Sequence, residues 1–486
     1  MKRIVLPEDM KAWDRSRIIG GIPSETLMLR AAQGLKEAVR RLRSSEQTVT
    51  CICGSGNNGE DGFALAWLLQ REEIPVRIVF VGREEKLTKD AAFYRELAKT
   101  ATVLEDASWQ PMENELLVDA IFGIGLDRPV TGRYADLIAS MNASQKPILC
   151  ADIPSGLDAK TGAVLGISVR ATETVTMQFV KTGMLLGQGP AYSGRITVCP
   201  LAEEQPFAFS KDLFWQEPRD VETLLPPRPF DSHKGKNGHA LLCVGSKQYI
   251  GAALLSSRAA LRAGCGILSV CVPDAVRPAF ASLPEAITVP TGTEDWDEAA
   301  CTVAIRALEK KSAVGIGCGI GAGAIEPLLK AVLKSGVPAV IDADGLNHMA
   351  CNRDLLNLLH PNVVITPHPG EMARLLNGTV DEVLSDPLAA VHAFPCITLL
   401  KGATTIVSDG SKTVFCTEGT PGLAKGGSGD VLTGIITGLL SQGLKPFDAA
   451  RAGTYLLGTC AKEAYRLLGQ RMLLASDVID ALSEAL

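Results

Sequence analysis

Four short stretches place polar side chains on glycine turns where a strand gives way to a helix or loop. The first is GSGNNGEDG, Gly54 to Gly62, between the apolar run Thr48–Cys53 and the helical run Phe63–Leu69. Its Gly54-x-Gly56-x-x-Gly59 spacing suits a loop that aims a helix N-terminus at phosphate. A dinucleotide-dependent hydride enzyme would also end its second strand in an acid that holds ribose hydroxyls. Here that strand reads VRIVFVGREE and ends in Gly82-Arg83, with Glu84 and Glu85 arriving late. Hydride transfer therefore fits poorly. Asn57, Asn58 and Asp61 instead put amides and a carboxylate where a pyrophosphate loop keeps small residues. They could coordinate a cation or hydrogen-bond a polar ligand.

The second stretch, LLVDAIFGIGLDRPVTG, places Asp119 in a strand and a glycine-rich loop from Gly123. The third, LCADIPSGLD, puts Asp152 and Ser155 at the mouth of another strand. Ligands of open parallel sheets bind beyond the carboxyl ends of the strands, so these three loops should converge. Asn58, Asp119 and Ser155 offer hard oxygens suited to an alkali or alkaline-earth cation. Three polar turns with helix caps are the plain structural alternative.

The fourth, TPGLAKGGSGDVLTGIITGLL, sets Gly426, Gly427 and Gly429 before an apolar helix. Free backbone N–H groups there hold an anion, and the helix dipole favours negative charge. Asp430 would be a poor phosphate neighbour unless it serves as the base for a hydroxyl attacking phosphorus; otherwise it is a helix cap. No GK[ST] pattern of a P-loop occurs. TPHPGE presents His368 on a turn after a strand, and LKGATTIV sets Lys401 and the Thr404–Thr405 pair near phosphate or ribose.

The elements that must carry these turns are short apolar runs alternating with amphipathic helical stretches, which signals α/β architecture with a mostly parallel sheet. The first series of strands is expected at Thr48–Cys53, Val76–Val81, Leu116–Phe122, Pro147–Ile153, Thr174–Phe179 and Arg195–Cys199. Alternation lapses between about Leu201 and Pro229, and a second series starts at His239–Val244. No internal repeat is visible, so two different domains are expected, 1–210 and 221–486. A length of 486 residues accommodates both cores. A net charge of −6 gives no reason to expect nucleic acid or an anionic membrane as partner. No signal-peptide core or membrane-length apolar run occurs, so the expected location is cytoplasmic. The 13 cysteines contain no CxxC pair and fall largely in strand-like runs, where they act as small buried hydrophobes.

Taken in order, GxGNNGxDG, VDAxFGxG and DIPSGLDAxTG resemble the epimerase domain of NAD(P)H-hydrate repair enzymes. HKGKNGHALLCVGS, VIDADGLN, TPHPGE, LKGATTIV and GGSGD resemble the dehydratase domain of the same family, within the ribokinase-like superfamily. The resemblance covers nearly the whole chain. It implies a Rossmann-like three-layer α/β domain followed by a ribokinase-like α/β domain. The first would interconvert the R and S hydrates NADHX and NADPHX. The second would dehydrate the S form to NADH or NADPH, with ADP or ATP and Mg2+ as phosphoryl donor, releasing AMP and phosphate where ADP is used.

By the same resemblance, Asn57, Asn58, Gly59, Glu60 and Asp61 contact the hydrate in the first domain. So do Gly123, Ile124, Gly125, Leu126, Asp127, Arg128 and Pro129, with Asp152 as acid/base. Asn58, Asp119 and Ser155 would hold K+. In the second domain Ala253, Gly319, His368 and Asp430 would meet the hydrate. Lys401, Gly402, Ala403, Thr404 and Thr405, with Gly426, Gly427, Ser428 and Gly429, would meet the nucleotide. The chain departs from the family at Glu60 and Leu29, where Gly and Glu are usual. It departs again in the GCGIG run around Gly319 and at Lys425 and Ser428. If position 60 requires positive φ, a glutamate there is strained. A homo-oligomer is expected. The rival reading is a ribokinase-like kinase of vitamin precursors carrying a non-catalytic dinucleotide-binding domain.

Overall fold

The computed structural model describes residues 1–98, 102–105, 109–203, 205–225, 228–469 and 471–485. The chain divides into two compact units, Lys2–Lys211 and Asp212–Leu486 together with Met1.

The first unit is built on a seven-stranded sheet in which every pairing is parallel. Its order is Thr102–Glu105, Val76–Phe80, Thr48–Cys53, Glu115–Ala120, Ile148–Ala151, Glu173–Met177, Arg195–Cys199. The period-2 alternation of strands sends neighbouring residues to opposite faces. Cys51 and Cys53 enter a core with the helices Pro7–Ile19, Ser24–Leu42 and Asn57–Gln70, whereas Ile52 enters one with helix Arg133–Ala143. Both faces are thus covered, and the unit has three layers. The chain runs outward one way from Thr48–Cys53 and the other way from Glu115–Ala120. The crevice at this reversal lies between those two strands, where the Gly54 and Gly123 loops emerge.

Four expected strands are one to three residues too long at their ends, where the loops already begin. The short strand Lys2–Val5 escaped the sequence reading. It pairs in parallel with Val180–Lys181, in register Val5 to Lys181. Strand Thr102–Glu105 was also missed.

The second unit carries ten strands in the order Ala286–Pro290, Ile267–Val272, His239–Cys243, Ala313–Ile316, Ala339–Ile341, Val363–Ile365, Ile397–Leu400, Thr405–Ser408, Lys412–Cys416, Asp212–Trp215. Pairing is parallel except on both sides of Thr405–Ser408. Strand Asp212–Trp215 and helix Pro218–Glu222 occupy the segment where alternation lapses. The strand lies upstream of the expected start at 221 and the helix spans it, and a four-residue strand leaves no periodic signal.

Here the reversal lies between His239–Cys243 and Ala313–Ile316. Helix Ser428–Ser441 crosses helix Ile250–Arg262 closely, because a Cβ at Gly434 would sit 2.2 Å from the Ser256 carbonyl oxygen. The small residues of GAALLSSRAALRAG are therefore packing devices. All 13 cysteines are free, and only Cys351 is exposed. Among the described residues no helix is long and apolar enough to cross a membrane.

Candidate functional sites

In the first unit the glycines of the opening loop have distinct jobs. A Cβ on Gly59 would meet the Gly54 carbonyl oxygen at 2.0 Å, and one on Gly54 would meet that of Ile121 at 2.2 Å. Gly56, the N-cap of helix Asn57–Gln70, has open space around it. The loop is thus pressed onto the neighbouring strand while its helix N-terminus stays clear for a ligand. Glu60 lies inside that helix and is absent from the positive-φ residues, so the expected strain does not arise.

A cavity of about 1090 Å³ opens over these strand ends. Gly54 to Asn58, Glu60 and Asp61 line it, as do Ile121 to Arg128, Pro129 and Asp152. Gly59 is absent from the lining, being spent on packing. Asp119 and Ser155 are wholly buried behind the wall.

Asp152 has φ +62, an uncommon conformation for a side chain-bearing residue. Its Oδ1 accepts the Met177 N–H at 3.0 Å and pairs with the ammonium of Lys181, which is fully buried. Lys181 Nζ also donates to Thr176 Oγ1 at 2.9 Å and the Met177 carbonyl at 3.0 Å. Two further cavity residues feel this pair. Burial, partly offset by Lys181, pushes the Asp14 carboxyl up to about 6. Burial, with Asp152, Glu60 and Asp14 adding to it and Lys181 opposing, raises Asp61 well above its ordinary value. Lys181 and Asp14 went unnoticed in the sequence. A lysine inside the apolar run VTMQFVK was the available signal, since buried Lys is rare unless paired.

The proposed cation ligands converge, though not as three free oxygens. Asp119 accepts from Ser155 N at 2.8 Å, Ser155 Oγ at 2.6 Å and Ile121 N at 3.2 Å. Burial nonetheless raises its pKa, against the lowering by those hydrogen bonds. Asn58 Nδ2 donates to the Phe122 carbonyl at 2.9 Å, and Ser155 Oγ accepts the Phe122 N–H at 2.8 Å. Asn58 Oδ1 is buried with no partner.

In the second unit Gly427 takes φ +97 as N-cap of helix Ser428–Ser441, and Asp430 sits in its first turn. Burial is the main cause that pushes the Asp430 carboxyl up to about 6; a Cys318 hydrogen bond and Lys401 oppose it, while Asp342 and Asp344 reinforce it. Lys401 Nζ donates to Asp342 Oδ1 at 2.8 Å and lies 3.6 Å from Glu371 Oε2. Burial works against that ammonium most strongly, yet Asp342 and Glu371 outweigh it and its pKa is raised. Thr433 Oγ1 donates to Asp342 Oδ2 at 2.9 Å, so Asp342 ties the strand edge to the helix. A Cβ on Gly429 would be 3.6 Å from Lys401 Nζ. Lys401 therefore stands beside the glycine turn that opens helix Ser428–Ser441, within an acid network.

Gly317, Gly319 and Gly321 all take positive φ, and the Gly321 N–H donates to Asp344 Oδ2 at 2.7 Å. His368 caps helix Pro369–Leu376, its Nδ1 accepting Gly370 N at 3.0 Å, while the ring stays half exposed. The Lys401 N–H donates to the Pro367 carbonyl at 2.8 Å, which joins the His368 and Lys401 turns. Gly402 and Ala403 are exposed, Thr404 Oγ1 is buried without a partner, and Thr405 opens its strand. Gly426 faces open space. Ala253 is wholly buried in helix Ile250–Arg262. Lys425 points elsewhere, donating to the Arg471 carbonyl at 2.6 Å. Asp342 and Thr433 are the residues that sequence reasoning passed over; the signal for Asp342 was an acid at a strand end in VIDADGLN.

Residues 24–183 match the family model described as the YjeF-related protein N-terminus, and residues 240–484 match that of NAD(P)H-hydrate dehydratase. A bifunctional NAD(P)H-hydrate repair enzyme of Moorella thermoacetica is 36% identical, the alignment covering 95% of this chain and 92% of that one. Its counterpart from Escherichia coli is 33% identical, over 95% and 89%. The ADP/ATP-dependent NAD(P)H-hydrate dehydratase of Bacillus subtilis, crystallised with ATP and Mg2+, superposes with a TM-score of 0.50 at 30% identity. It covers 57% of this chain and 98% of its own.

Proposed function

The chain belongs to the family of bifunctional NAD(P)H-hydrate repair enzymes, and on that premise we propose which of its residues carry each reaction. The first unit epimerises R- and S-NAD(P)HX, and the second dehydrates the S form to NAD(P)H at the expense of ADP or ATP. The observation that carries the assignment is that each unit gathers a partly buried carboxylate and a glycine loop by its own sheet reversal.

In the hydrate, C6 bears both the hydroxyl and the ring nitrogen. Inverting it requires a proton to move at that hydroxyl while one C6 bond breaks and re-forms. Asp152, at the cavity wall, moves this proton, and Lys181 fixes its carboxylate and compensates its charge. The helix N-terminus at Asn57 receives the pyrophosphate. K+ would be held by Asn58 Oδ1, with Ser155 Oγ and the charge of Asp119 behind it. The orphaned amide oxygen fits such a group, and one carboxylate with neutral oxygens suits K+ better than Mg2+. The cation would supply a counter-charge to the dinucleotide.

In the second unit Asp430 accepts the proton of the C6 hydroxyl as that oxygen attacks the terminal phosphorus. The N–H groups of the Gly426–Gly429 turn hold the transferring phosphoryl. Phosphate is then a competent leaving group: the ring nitrogen lone pair expels it, and loss of a C5 proton restores the C5=C6 double bond. Mg2+, bound with the nucleotide, would neutralise phosphate charge, and Asp344 is a nearby acid suited to it. Lys401 keeps Asp342 in place. A cytoplasmic homo-oligomer is part of this proposal.

The test is incubation of the purified protein with R and S hydrates separately, with ADP or ATP and Mg2+, following NADH absorbance. S hydrate should be consumed directly, and R hydrate only as fast as the first unit supplies S. Absence of nucleotide-dependent NADH formation from the S hydrate would overturn the reading. A parallel arm replaces K+ with a bulky organic cation. Unchanged epimerisation there would reject the cation site.

A further inference from the structure

Cys318 is a buried polar group that the scheme above leaves without work. It follows strand Ala313–Ile316, in the GCGIG run where the chain departs from its family, and it is wholly buried. The Gly245 N–H donates to its carbonyl at 2.8 Å. A Cβ on Gly317 would sit 1.9 Å from the Asp342 carbonyl oxygen, and one on Gly319 would sit 2.7 Å from Ala252 Cβ. The turn is therefore wedged between the Asp342 backbone and helix Ile250–Arg262, beside the sheet reversal.

From this fixed turn the thiol reaches the first turns of helix Ser428–Ser441. It hydrogen-bonds the Asp430 carboxyl and meets Thr433, which shares that helix face three residues on. The other protons here are spent elsewhere. Thr433 Oγ1 donates to Asp342 Oδ2 at 2.9 Å, and Lys401 Nζ donates to Asp342 Oδ1 at 2.8 Å. Asp342 and Asp344, when ionised, only accept. Of the groups that act on Asp430, the thiol is thus the one that donates to it. Burial, with Asp430 and Asp342 adding to it, raises the Cys318 thiol well above its ordinary value. It stays protonated, a donor and not a nucleophile.

We propose that Cys318 is a positioning residue for dehydration: its S–H holds one oxygen of the Asp430 carboxylate and so aims the other at the C6 hydroxyl. The inference rests on the dehydratase reading of the second unit. An aspartate carboxylate turns about a broad, two-fold torsion. A donor on one oxygen removes that freedom, and a base already aligned gains rate without reorganising. Being wholly buried, Cys318 offers no surface to nucleotide or hydrate. Its loss should therefore act through Asp430 on turnover and leave affinity alone. A hydrogen bond to an ionised acceptor, at the weak end where a thiol belongs, is worth about tenfold.

The experiment measures kcat and both KM values for S-NADHX dehydration with ATP and Mg2+ in wild type, Cys318→Ala and Cys318→Ser. Ala and Ser differ only by a hydroxyl, so their contrast reads the hydrogen bond. Cys318→Ala should lose about tenfold in kcat with KM nearly unchanged, and Cys318→Ser should recover most of it. An alanine variant with wild-type kcat, one whose loss lies in KM, or a serine variant as slow as alanine would overturn the proposal. A second readout needs neither turnover nor the alanine variant. The infrared S–H stretch isolated by subtracting Cys318→Ser from wild type should sit at the low-frequency, hydrogen-bonded end of the thiol band. It should move up in an Asp430→Ala background. A band at the unbonded position in wild type, or one indifferent to Asp430, would overturn the proposal. Absence of S-hydrate dehydration in wild type would instead sink the parent reading, and the band tells the two failures apart.

Discussion

The two units solve one placement problem with different electrostatics. Each brings a glycine loop and a carboxylate to a sheet reversal, and each holds a non-glycine residue at positive φ beside it, Asp152 at +62° and Ala343 at +48°. In the first unit the proposed reacting acid, Asp152, has a buried cation of its own, Lys181. In the second the nearest cation, Lys401, is bonded to Asp342, and Asp430 is left with a carboxyl pushed up to about 6. The difference follows the chemistry. An epimerase must give and take a proton in both directions, which a close acid–ammonium pair supports. A base that only accepts works best with a pKa near the working pH.

The largest expected effect comes from Asp430→Asn. The side chain keeps its size but cannot accept the hydroxyl proton, so nucleotide-dependent dehydration should fall by about 10²–10⁴. Epimerisation, followed by chromatography of the two epimers, should be unaffected. Dehydration above about a tenth of the wild-type rate would break the assigned role.

Lys181→Met tests the other half of the contrast. Epimerisation should drop about 10²-fold, and the first unit should lose about 3–5 kcal/mol, because a buried charge loses its partner. Urea unfolding measures the loss. S-hydrate dehydration should persist under conditions where the fold is retained. Equal loss of both activities at native stability would contradict separate sites.

A smaller effect sharpens the comparison through pH. Dehydration should be half-maximal near pH 6 and fall about tenfold per unit below it, as Asp430 takes up its proton. A saturating-substrate pH profile checks this. An inflection that Asp430→Asn leaves in place would belong to another group.

These contrasts separate what local sequence can reveal from what it cannot. The glycine turns and the strands that flank them were readable, because spacing within a few residues encodes each one. Lys181 was not, because its place depends on strand Lys2–Val5, which lies far away in sequence and is too short for a periodic signal. Asp342 was hidden for a similar reason: its partners Lys401 and Thr433 are 59 and 91 residues distant. Asp119 was read as a cation ligand, and only the folded backbone reveals that its oxygens also accept from Ser155 and Ile121. Glu60 looked strained from sequence, and its helical position removes that concern while exposing a different cost.

That cost supplies the smallest predicted effect, on stability rather than rate. Glu60 is raised from 4.5 to about 7 in the fold. Below pH 4.5 it is protonated in both folded and unfolded chains and contributes nothing. Between 4.5 and 7 the unfolded chain ionises while the folded one holds its proton, so the penalty on the native state grows. Above 7 it is complete, at up to about 3 kcal/mol. Asp430, shifted the same way in the second unit, carries a similar penalty, but removing it costs activity. Glu60→Gln should therefore raise the melting temperature of the first unit by about 5 °C at pH 8 and leave it nearly unchanged at pH 4.5. Differential scanning calorimetry at the two pH values checks the sign. An equal gain at both would mean that packing, not charge, is what the glutamine improves.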